Sequence, residues 1–392
     1  MRKASFLLFI AFSTPVLSAD FIATSEAPIT GQYLVVLKQA QSSGAVRQAR
    51  LDALARASKA RLARTYESAL NGGVMQMTAA QANAMAKNSQ VAYVEQDRYM
   101  RLHPSLSATS SSTVQAAVPS WGLDRIDQRN LPLSGTYSYG YSGVGVTAYV
   151  IDTGIRYNHS DFGGNVRFGF DALGDGRQGA DCNGHGTHVA GTLGGLKHGV
   201  AKNVTLVSVR VLDCQGGGTL SGVIAGIDWV TSNAKGPAVA NMSLGGGAST
   251  ALDNAVSGSI ARGITYVVAA GNETTNACTR SPARVANALT VAASTSTDHQ
   301  ASYSNFGKCV DLYAPGSAIL SAWAGSDSAT AVLSGTSMAA PHVAGVAALY
   351  LQANPGATPA NVSLAISSAA TQRIIKKAGS GTPNRLLYSM LQ

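Results

Sequence analysis

The stretch VGVTAYVIDTG, residues 144–154, places an apolar run directly before an aspartate and a glycine turn. Further apolar runs alternate with helix-like stretches, at residues 204–211, 239–243, 264–270 and 288–292. Strands that alternate with helices form parallel sheets covered by helices on both faces, and continuous Val, Ile and Ala runs are typical of strands buried on both sides. The sequence therefore predicts an α/β domain whose functional groups collect at the carboxyl ends of its strands.

The composition favours a compact protein with a buried sheet. Of the 392 residues, 45% are hydrophobic, 12% are charged and 42 are glycine. This excludes a coiled coil, a disordered tail and a collagen, because each needs abundant charge, low hydrophobicity or a strict glycine period. The net charge of +9 does not indicate a nucleic-acid partner, because much of it lies on the amphipathic stretch 47–64, which has no interleaved aromatic residues.

The first residues have the pattern of a secretory signal. A positive start is followed by a short apolar run, residues 4–12, and then by small residues suited to cleavage. No later segment reaches the roughly 18 consecutive apolar residues that span a membrane. We therefore expect a secreted, extracellular, monomeric protein with no membrane partner.

A small α+β domain is predicted between this signal and the α/β domain. Its helices are expected at residues 46–65 and 79–87, and its strands at 33–37, 74–78 and 91–95. The small polar residues that follow are typical of an exposed, protease-sensitive linker. The expected organisation is a signal peptide at 1–19, a small domain at 20–105, a linker with a processing site at 106–117 and the α/β domain at 118–392.

Three motifs carry candidate catalytic side chains. Asp152 follows a buried strand, His185 lies between glycines at a predicted helix start, and Ser337 lies at the mouth of a small-residue helix. A helix N-terminus places partial positive charge and free N–H groups beside a hydroxyl, as an acyl-transfer nucleophile requires. Pro341 is expected in the first turn or so of that helix, where amides lack intrahelical partners. Each motif alone also fits a turn or a helix cap.

Two further polar residues have open interpretations. Asn272 is an amide donor after a strand, although turn asparagines are common. His185 and His188 lie three positions apart and raise a zinc site, but no third ligand follows at a recognisable spacing. His188 is therefore expected to be a packed core histidine. Cys182, Cys214, Cys278 and Cys309 are expected to form two disulfides, with three connectivities possible.

The order of Asp152, His185, Asn272 and Ser337 resembles that of subtilisin-like serine proteases. The resemblance extends over residues 121–389, and the stretches 181–185, 281–286 and 309–316 are similar to the proteinase K and aqualysin subgroup. It implies a three-layer α/β fold with a mostly parallel central sheet. It also implies that the small α+β domain is a ferredoxin-like propeptide that acts as an intramolecular inhibitor.

The resemblance further implies the roles of individual residues. Ser337 would be the nucleophile, His185 the general base, Asp152 its orienting partner and Asn272 an oxyanion donor, acting on polypeptide substrates with broad specificity and an apolar preference. The implied substrate-binding residues are Gly216, Gly217, Gly218, Ser243, Leu244 and Gly245, which pair with the substrate, and Ala269, Ala270 and Gly271, which line the pocket for the residue before the scissile bond (P1).

Disulfides and calcium are also implied by the resemblance. The expected pairs are Cys182–Cys214 and Cys278–Cys309. A structural calcium ion is expected on Asp311 with the backbone carbonyls of Ala286 and Ala288, since oxygen ligands suit a hard cation. No catalytic metal is expected.

Three alternatives remain open at this point. A catalytically silent homologue would be a binding protein, which the intact motifs argue against. An α/β-hydrolase esterase would need the order Ser, Asp, His and a Gly-x-Ser-x-Gly elbow, neither of which is present. A metallohydrolase would use His185 and His188.

Overall fold

The structure is a computed structural model that describes residues 20–24, 26–38, 43–102, 106–107 and 120–389. The expected signal peptide, residues 1–19, and most of the expected linker, 106–117, lie outside the described residues.

The N-terminal unit is a mixed sheet with helices, as predicted. Its strands lie in the order β1-β5-β2-β4-β3. Its elements are β1 (Asp20–Ile22), β2 (Pro28–Leu37), α1 (Gly44–Ser58), β3 (Arg61–Thr65), β4 (Gly72–Gln76), α2 (Ala79–Ala86) and β5 (Val91–Arg101).

The helix predicted at residues 46–65 was too long. Helix α1 ends at Ser58 because Lys59 adopts the left-handed conformation, with φ of 55°, and its N–H caps carbonyls of the last turn. The residues that follow form β3, which pairs antiparallel with β4. The helical spacing of apolar residues therefore extends by chance past the end of α1, across the turn at Lys59 and into β3.

A short strand, β6 (Leu106–Ser107), lies between the two units. The helices of the larger unit are α3 (Trp121–Ile126), α4 (His185–Gly194), α5 (Leu220–Asn233), α6 (Thr250–Ile260), α7 (Thr336–Ala353) and α8 (Pro359–Ala369). Its strands are β7 (Thr147–Asp152), β8 (Val166–Asp171), β9 (Thr205–Arg210), β10 (Gly217–Thr219), β11 (Ala238–Met242), β12 (Gly246–Gly247), β13 (Thr265–Ala269), β14 (Arg280–Ser281), β15 (Leu289–Ser294), β16 (Leu312–Pro315), β17 (Ile319–Ala322), β18 (Thr330–Ser334), β19 (Thr371–Gln372) and β20 (Arg385–Leu386).

The larger unit is built around a nine-stranded sheet in the order β19-β20-β16-β15-β13-β11-β7-β9-β8. Its neighbours pair in parallel except β19 with β20. Successive residues of the central strands face opposite sides: Val150 packs with α4 and α7, and Ile151 packs with α5 and α6. This confirms the three-layer α/β fold and the mostly parallel central sheet.

The apolar runs found in the sequence correspond to the central strands β7, β9, β11, β13 and β15. The sequence interpretation missed β8, whose residues are exposed or half-buried, because an edge strand lacks the continuous apolar run of a central one. The very short strands β10, β12 and β14 carry no periodicity long enough to detect.

Pro341 lies deeper in its helix than expected. Helix α7 begins at Thr336, so Pro341 falls in the second turn and its missing N–H would have bonded to the carbonyl of Ser337. That carbonyl instead accepts a hydrogen bond from the Ser243 hydroxyl at 2.8 Å. The proline thus leaves an acceptor that ties the start of α7 to the end of β11.

Candidate active site

Asp152 is the last residue of β7 and is fully buried. Its backbone carbonyl accepts hydrogen bonds from the amides of Val211 and Leu212, at 2.9 and 3.2 Å. Its carboxylate oxygen Oδ1 accepts the amide of Thr153 at 2.7 Å. The carboxylate is therefore fixed at the carboxyl edge of the sheet, where the βαβ arrangement places functional groups.

His185 is the first residue of α4, and its position is set by Asp181. One carboxylate oxygen of Asp181 accepts the amides of Asn183 and Gly184, each at 2.9 Å, and the other accepts the amide of Thr187 at 3.0 Å. The sequence interpretation did not single out Asp181 for this role. The signal available was an aspartate two and three residues before those amides, which is the spacing of an Asx-turn.

The His185 ring and the Asp152 carboxylate meet in a buried hydrogen bond. Nδ1 of His185 lies 2.8 Å from Oδ1 of Asp152, and both side chains are almost completely buried. Burial lowers the pKa of His185, but the charge of Asp152 and its hydrogen bond raise the pKa by more, so the net direction is upward. Nε2 of His185 has no hydrogen-bond partner within the described part of the chain.

Ser337 lies in the first turn of α7, at the same sheet edge. Its hydroxyl donates to the carbonyl of Ser243 at 3.1 Å and is not hydrogen-bonded to His185 in this conformation. Hydrogen bonds between a nucleophile and its base are often long or misaligned before substrate binds. The structure thus brings the three candidate residues to one edge of the sheet, with the Asp152–His185 hydrogen bond formed and the Ser337 hydroxyl held by β11.

Asn272 follows β13 and contacts the start of α7. Its Oδ1 accepts hydrogen bonds from the amide and the hydroxyl of Thr336, at 2.9 and 2.8 Å. Because Oδ1 is occupied in this way, the orientation of the amide is fixed. Nδ2 lies close to Gly335, two residues before Ser337, at 3.1 Å from where a Cβ of Gly335 would stand.

The end of strand β5 of the N-terminal unit occupies the expected substrate edge. Strand β10 pairs antiparallel with it, Gly217 with Arg101 and Gly218 with Met100. The amide of Leu102 donates to the carbonyl of Gly216 at 2.9 Å. On the other side, Arg101 forms an antiparallel bridge with Gly245. The segment therefore lies as a central strand between the two edges.

Further along the chain, β6 pairs with β18, so that Leu106 lies opposite Ser334. Ser334 is only three residues before Ser337. The described segment that ends at Leu102 therefore bonds to the edge at Gly216, whereas the one that begins at Leu106 pairs with β18, just before the candidate nucleophile.

The residues expected to line the P1 pocket lie at the end of β13. Ala269 and Ala270 are buried, and Gly271 has a φ of 101°, a conformation that favours glycine. The side-chain amide of Asn305 donates to the Ala270 carbonyl at 2.8 Å, and the Asn305 amide N–H donates to the Gly271 carbonyl at 2.9 Å. Leu244, between Ser243 and Gly245, is buried in the core beside α5 and α6.

Two carboxylates of the N-terminal unit cap helices of the larger unit. Glu95 accepts the amide of Ala251 in the first turn of α6 at 2.9 Å, and Asp97 accepts the amide of Ser221 in the first turn of α5 at 3.1 Å. Both carboxylates are buried, and burial raises the pKa of Glu95 despite its hydrogen bonds. Negative charge is favourable at a helix N-terminus. No sequence signal identified these contacts, because each joins residues far apart in the chain.

In a third contact the roles are reversed: the larger unit provides the carboxylate and the N-terminal unit provides the amides. Asp228 of α5 accepts the backbone amides of Glu67, Ser68 and Ala69, at 2.7, 2.8 and 2.7 Å. The N-terminal unit is therefore held both at the expected substrate edges and along α5 and α6.

Two disulfides of the expected pairing are present, Cys182–Cys214 and Cys278–Cys309. The first joins the loop before His185 to the loop before β10.

His188 is a buried core histidine whose Nε2 lies 3.0 Å from the carbonyl oxygen of Ile319. Burial, with the nearby His185, lowers its pKa to about 3. Among the described residues, no cluster of three or more His, Cys, Asp or Glu side chains is arranged to hold a metal.

Asp311, the expected calcium ligand, precedes β16. Its carboxylate accepts the amide of Thr290 at 2.8 Å, which places it beside the start of β15, where Ala286 and Ala288 lie. Burial raises the pKa of Asp311 to about 6, against the opposing effects of the Thr290 hydrogen bond and of Arg385. A half-buried carboxylate of this kind suits a bound cation, because a metal would offset its partial desolvation.

Comparisons with known proteins agree with this geometry. Residues 143–387 match the model described as Subtilase family, and residues 32–103 match Peptidase inhibitor I9. The first match covers more than half of the chain. The chain therefore belongs to the subtilase family.

Individual relatives extend the match. An extracellular serine proteinase of Thermus sp. (strain Rt41A) is 54% identical over 330 residues, which cover 84% of this chain and 78% of the relative. The alkaline serine exoprotease A of Vibrio alginolyticus is 46% identical over 404 residues, covering 97% of this chain and 74% of the relative. The crystal structure of a cold adapted subtilisin-like serine proteinase matches with a TM-score of 0.68 and 57% identity, covering 69% of this chain and 98% of that one.

These findings identify a subtilisin-like serine proteinase that carries an I9-type propeptide. Among the described residues, no helix is both long and apolar enough to cross a membrane.

Replacing Asp152 with Asn should lower the pKa of His185, because the carboxylate charge and its hydrogen bond oppose the burial that disfavours the imidazolium. NMR titration of the ring, in a Ser337→Ala background that prevents self-digestion, measures this directly. Asp327→Asn, which alters an exposed ion pair, is the matched control and should leave the pKa of His185 unchanged. An unchanged His185 pKa in Asp152→Asn would contradict the assigned cause.

Proposed function

We propose that the protein is a secreted, monomeric serine endopeptidase that hydrolyses peptide bonds through an acyl-enzyme on Ser337. The observation that carries the proposal is the buried 2.8 Å hydrogen bond between His185 Nδ1 and Asp152 Oδ1, which leaves Nε2 available at the sheet edge where Ser337 lies. A histidine oriented by a buried carboxylate beside a serine is the arrangement that activates a hydroxyl for acyl transfer.

In the proposed reaction, His185 Nε2 takes the proton of the Ser337 hydroxyl as Oγ attacks the peptide carbonyl. The imidazolium then gives this proton to the leaving amine, and the C–N bond breaks to leave an ester on Ser337. Water, deprotonated by His185, hydrolyses the ester and regenerates the hydroxyl. Asp152 holds the ring in the tautomer whose Nε2 accepts the proton, and it stabilises the imidazolium.

The developing oxyanion would be bound by the Asn272 side-chain amide and the Ser337 backbone N–H. The support is the orientation of Asn272: its Oδ1 is held by Thr336, so its donor group is preorganised. Donors fixed in this way stabilise charge that appears only in the transition state.

The substrate would bind as an extended strand between Gly216–Gly218 and Ser243–Gly245. The support is the pairing of β5 with both edges in this structure, because main-chain hydrogen bonds of this kind hold any extended peptide with little dependence on its sequence. The buried alanines Ala269 and Ala270, with Gly271, would favour an apolar residue at P1.

The same pairing supports synthesis as a self-inhibited precursor. A substrate cannot enter while β5 fills the cleft, so activity would require cleavage between the two units and release of the propeptide. Parallel sheets depend on non-local contacts and form slowly. The helix caps provided by the Glu95 and Asp97 carboxylates would therefore also assist the folding of the larger unit. We propose that Ser337 performs the cut in the region of residues 103–116.

A Ser337→Ala protein should therefore remain uncleaved, whereas the wild type should yield a smaller mature form. Intact-mass analysis of both purified proteins over time provides the measurement. Ser368→Ala, on the exposed face of α8, is the matched control and should process like the wild type. Release of a mature form of normal size from Ser337→Ala would show that another protease makes the cut.

We further propose that Asp311, with the carbonyls of Ala286 and Ala288, holds a structural calcium ion. Bound calcium would supply positive charge that neutralises the half-buried carboxylate and joins the loop before β15 to the start of β16. It would take no part in the chemical step.

Calcium should therefore stabilise the folded protein, since a ligand that binds only the native state adds about 2.7 kcal/mol at 100 times its Kd. The shift in unfolding temperature is measured by thermal unfolding of the Ser337→Ala protein with calcium and with a chelator. Asp311→Asn should abolish most of the shift, and Asp327→Asn should retain it. An equal calcium response in all three proteins would contradict this site.

A further inference from the structure

A propeptide carboxylate binds the larger unit just beyond the substrate edge. Oε2 of Glu26 accepts the amide of Gly247 at 2.9 Å. Oε1 of Glu26 lies 3.8 Å from Nη1 of Arg280. The Gly247 N–H and the Arg280 guanidinium together form what is here called the acid subsite.

The local fold explains why the two donors converge. Strand β12 pairs antiparallel with β14, which places Gly247 directly opposite Arg280. A Cβ at Gly247 would overlap the Glu26 carboxylate. The absence of a side chain at Gly247 therefore opens the space that the carboxylate occupies.

Arg280 is held in place from its other side. Its Nε lies 3.8 Å from Oε2 of Glu273, and that oxygen accepts the side-chain amide of Asn305 at 2.6 Å. The Arg280 side chain is only 26% exposed, and its Nε is buried with no hydrogen-bond partner within the described residues. Arg280 is thus a partly desolvated cation on a fixed strand, which strengthens its attraction for an anion.

We propose that in the mature enzyme, once Glu26 has left with the propeptide, the acid subsite binds a Glu or Asp side chain of the polypeptide substrate. This rests on the proposed function, because it assumes that substrate replaces β5 in the cleft.

The position of that side chain follows from the register. Gly245 bridges to Arg101 in antiparallel orientation. Gly247 is two residues further along, and its carbonyl accepts the guanidinium of Arg98, three residues upstream of Arg101, at 2.6 Å. The acid subsite therefore lies near the substrate residues two to three positions upstream of the one paired with Gly245. The enzyme therefore selects an acidic side chain on the upstream part of its substrate, well away from P1.

The size of the preference follows from the type of interaction. One charge-assisted hydrogen bond and a partly exposed ion pair correspond to roughly 3- to 10-fold in kcat/KM. The preference should shrink as salt is added, because the ion pair is reached by solvent.

The test uses mature enzyme prepared from the full chain and peptide pairs that differ only by Glu or Gln at one upstream position, scanned over consecutive positions. Wild-type enzyme should cleave the Glu peptide with the higher kcat/KM at one position or two adjacent ones. Arg280→Gln should bring the Glu/Gln ratio to about one. Arg284→Gln, which removes a neighbouring arginine that pairs with Asp253, should keep the wild-type ratio and so controls for general charge.

A wild-type ratio near one at every position would overturn the proposal, as would a ratio that Arg280→Gln leaves unchanged or that Arg284→Gln abolishes equally. Because each result is a ratio within one enzyme preparation, partial misfolding of a variant does not alter it. Cleavage of neither peptide by wild-type enzyme would instead contradict the proposed function itself.

Discussion

The hydrogen bond between Asp152 and His185 is the interaction on which the site depends. It joins the end of a buried central strand to the first residue of a buried helix, and both side chains are shielded from water. A bare carboxylate or a bare imidazolium in that position would be costly to bury. Each group therefore offsets the free-energy cost of burying the other. The parallel sheet provides the edge at which the two side chains meet.

The propeptide binds the larger unit at the same edge of the sheet, and these contacts form the interface between the two domains. Its last strand pairs with β10 and Gly245, its carboxylates cap α5 and α6, and Asp228 holds its turn at residues 67–69. The backbone pairing is indifferent to sequence, whereas the carboxylate contacts require particular residues. The cleft can thus accept many peptides while the propeptide alone gains the additional contacts on the helices.

Much of the fold followed from the sequence because buried parallel strands give continuous apolar runs, as in 144–151. The four candidate catalytic residues could be singled out because each lies in a distinct motif within two residues of a glycine. Contacts between side chains distant in sequence could not be found this way: Asp181 was overlooked as the organiser of the His185 loop, and Glu26, Glu95, Asp97 and Asp228 gave no local signal. The boundary of α1 was missed because apolar spacing continued past the left-handed Lys59.

The most direct measurement of the central claim is covalent labelling of the mature enzyme with a fluorophosphonate, followed by peptide mass analysis. The account predicts a single phosphonyl adduct on Ser337, formed with loss of fluoride, and a loss of proteolysis that matches the fraction of Ser337 labelled. An adduct on another residue with Ser337 unmodified, or full proteolysis by an enzyme that is fully labelled on Ser337, would contradict it.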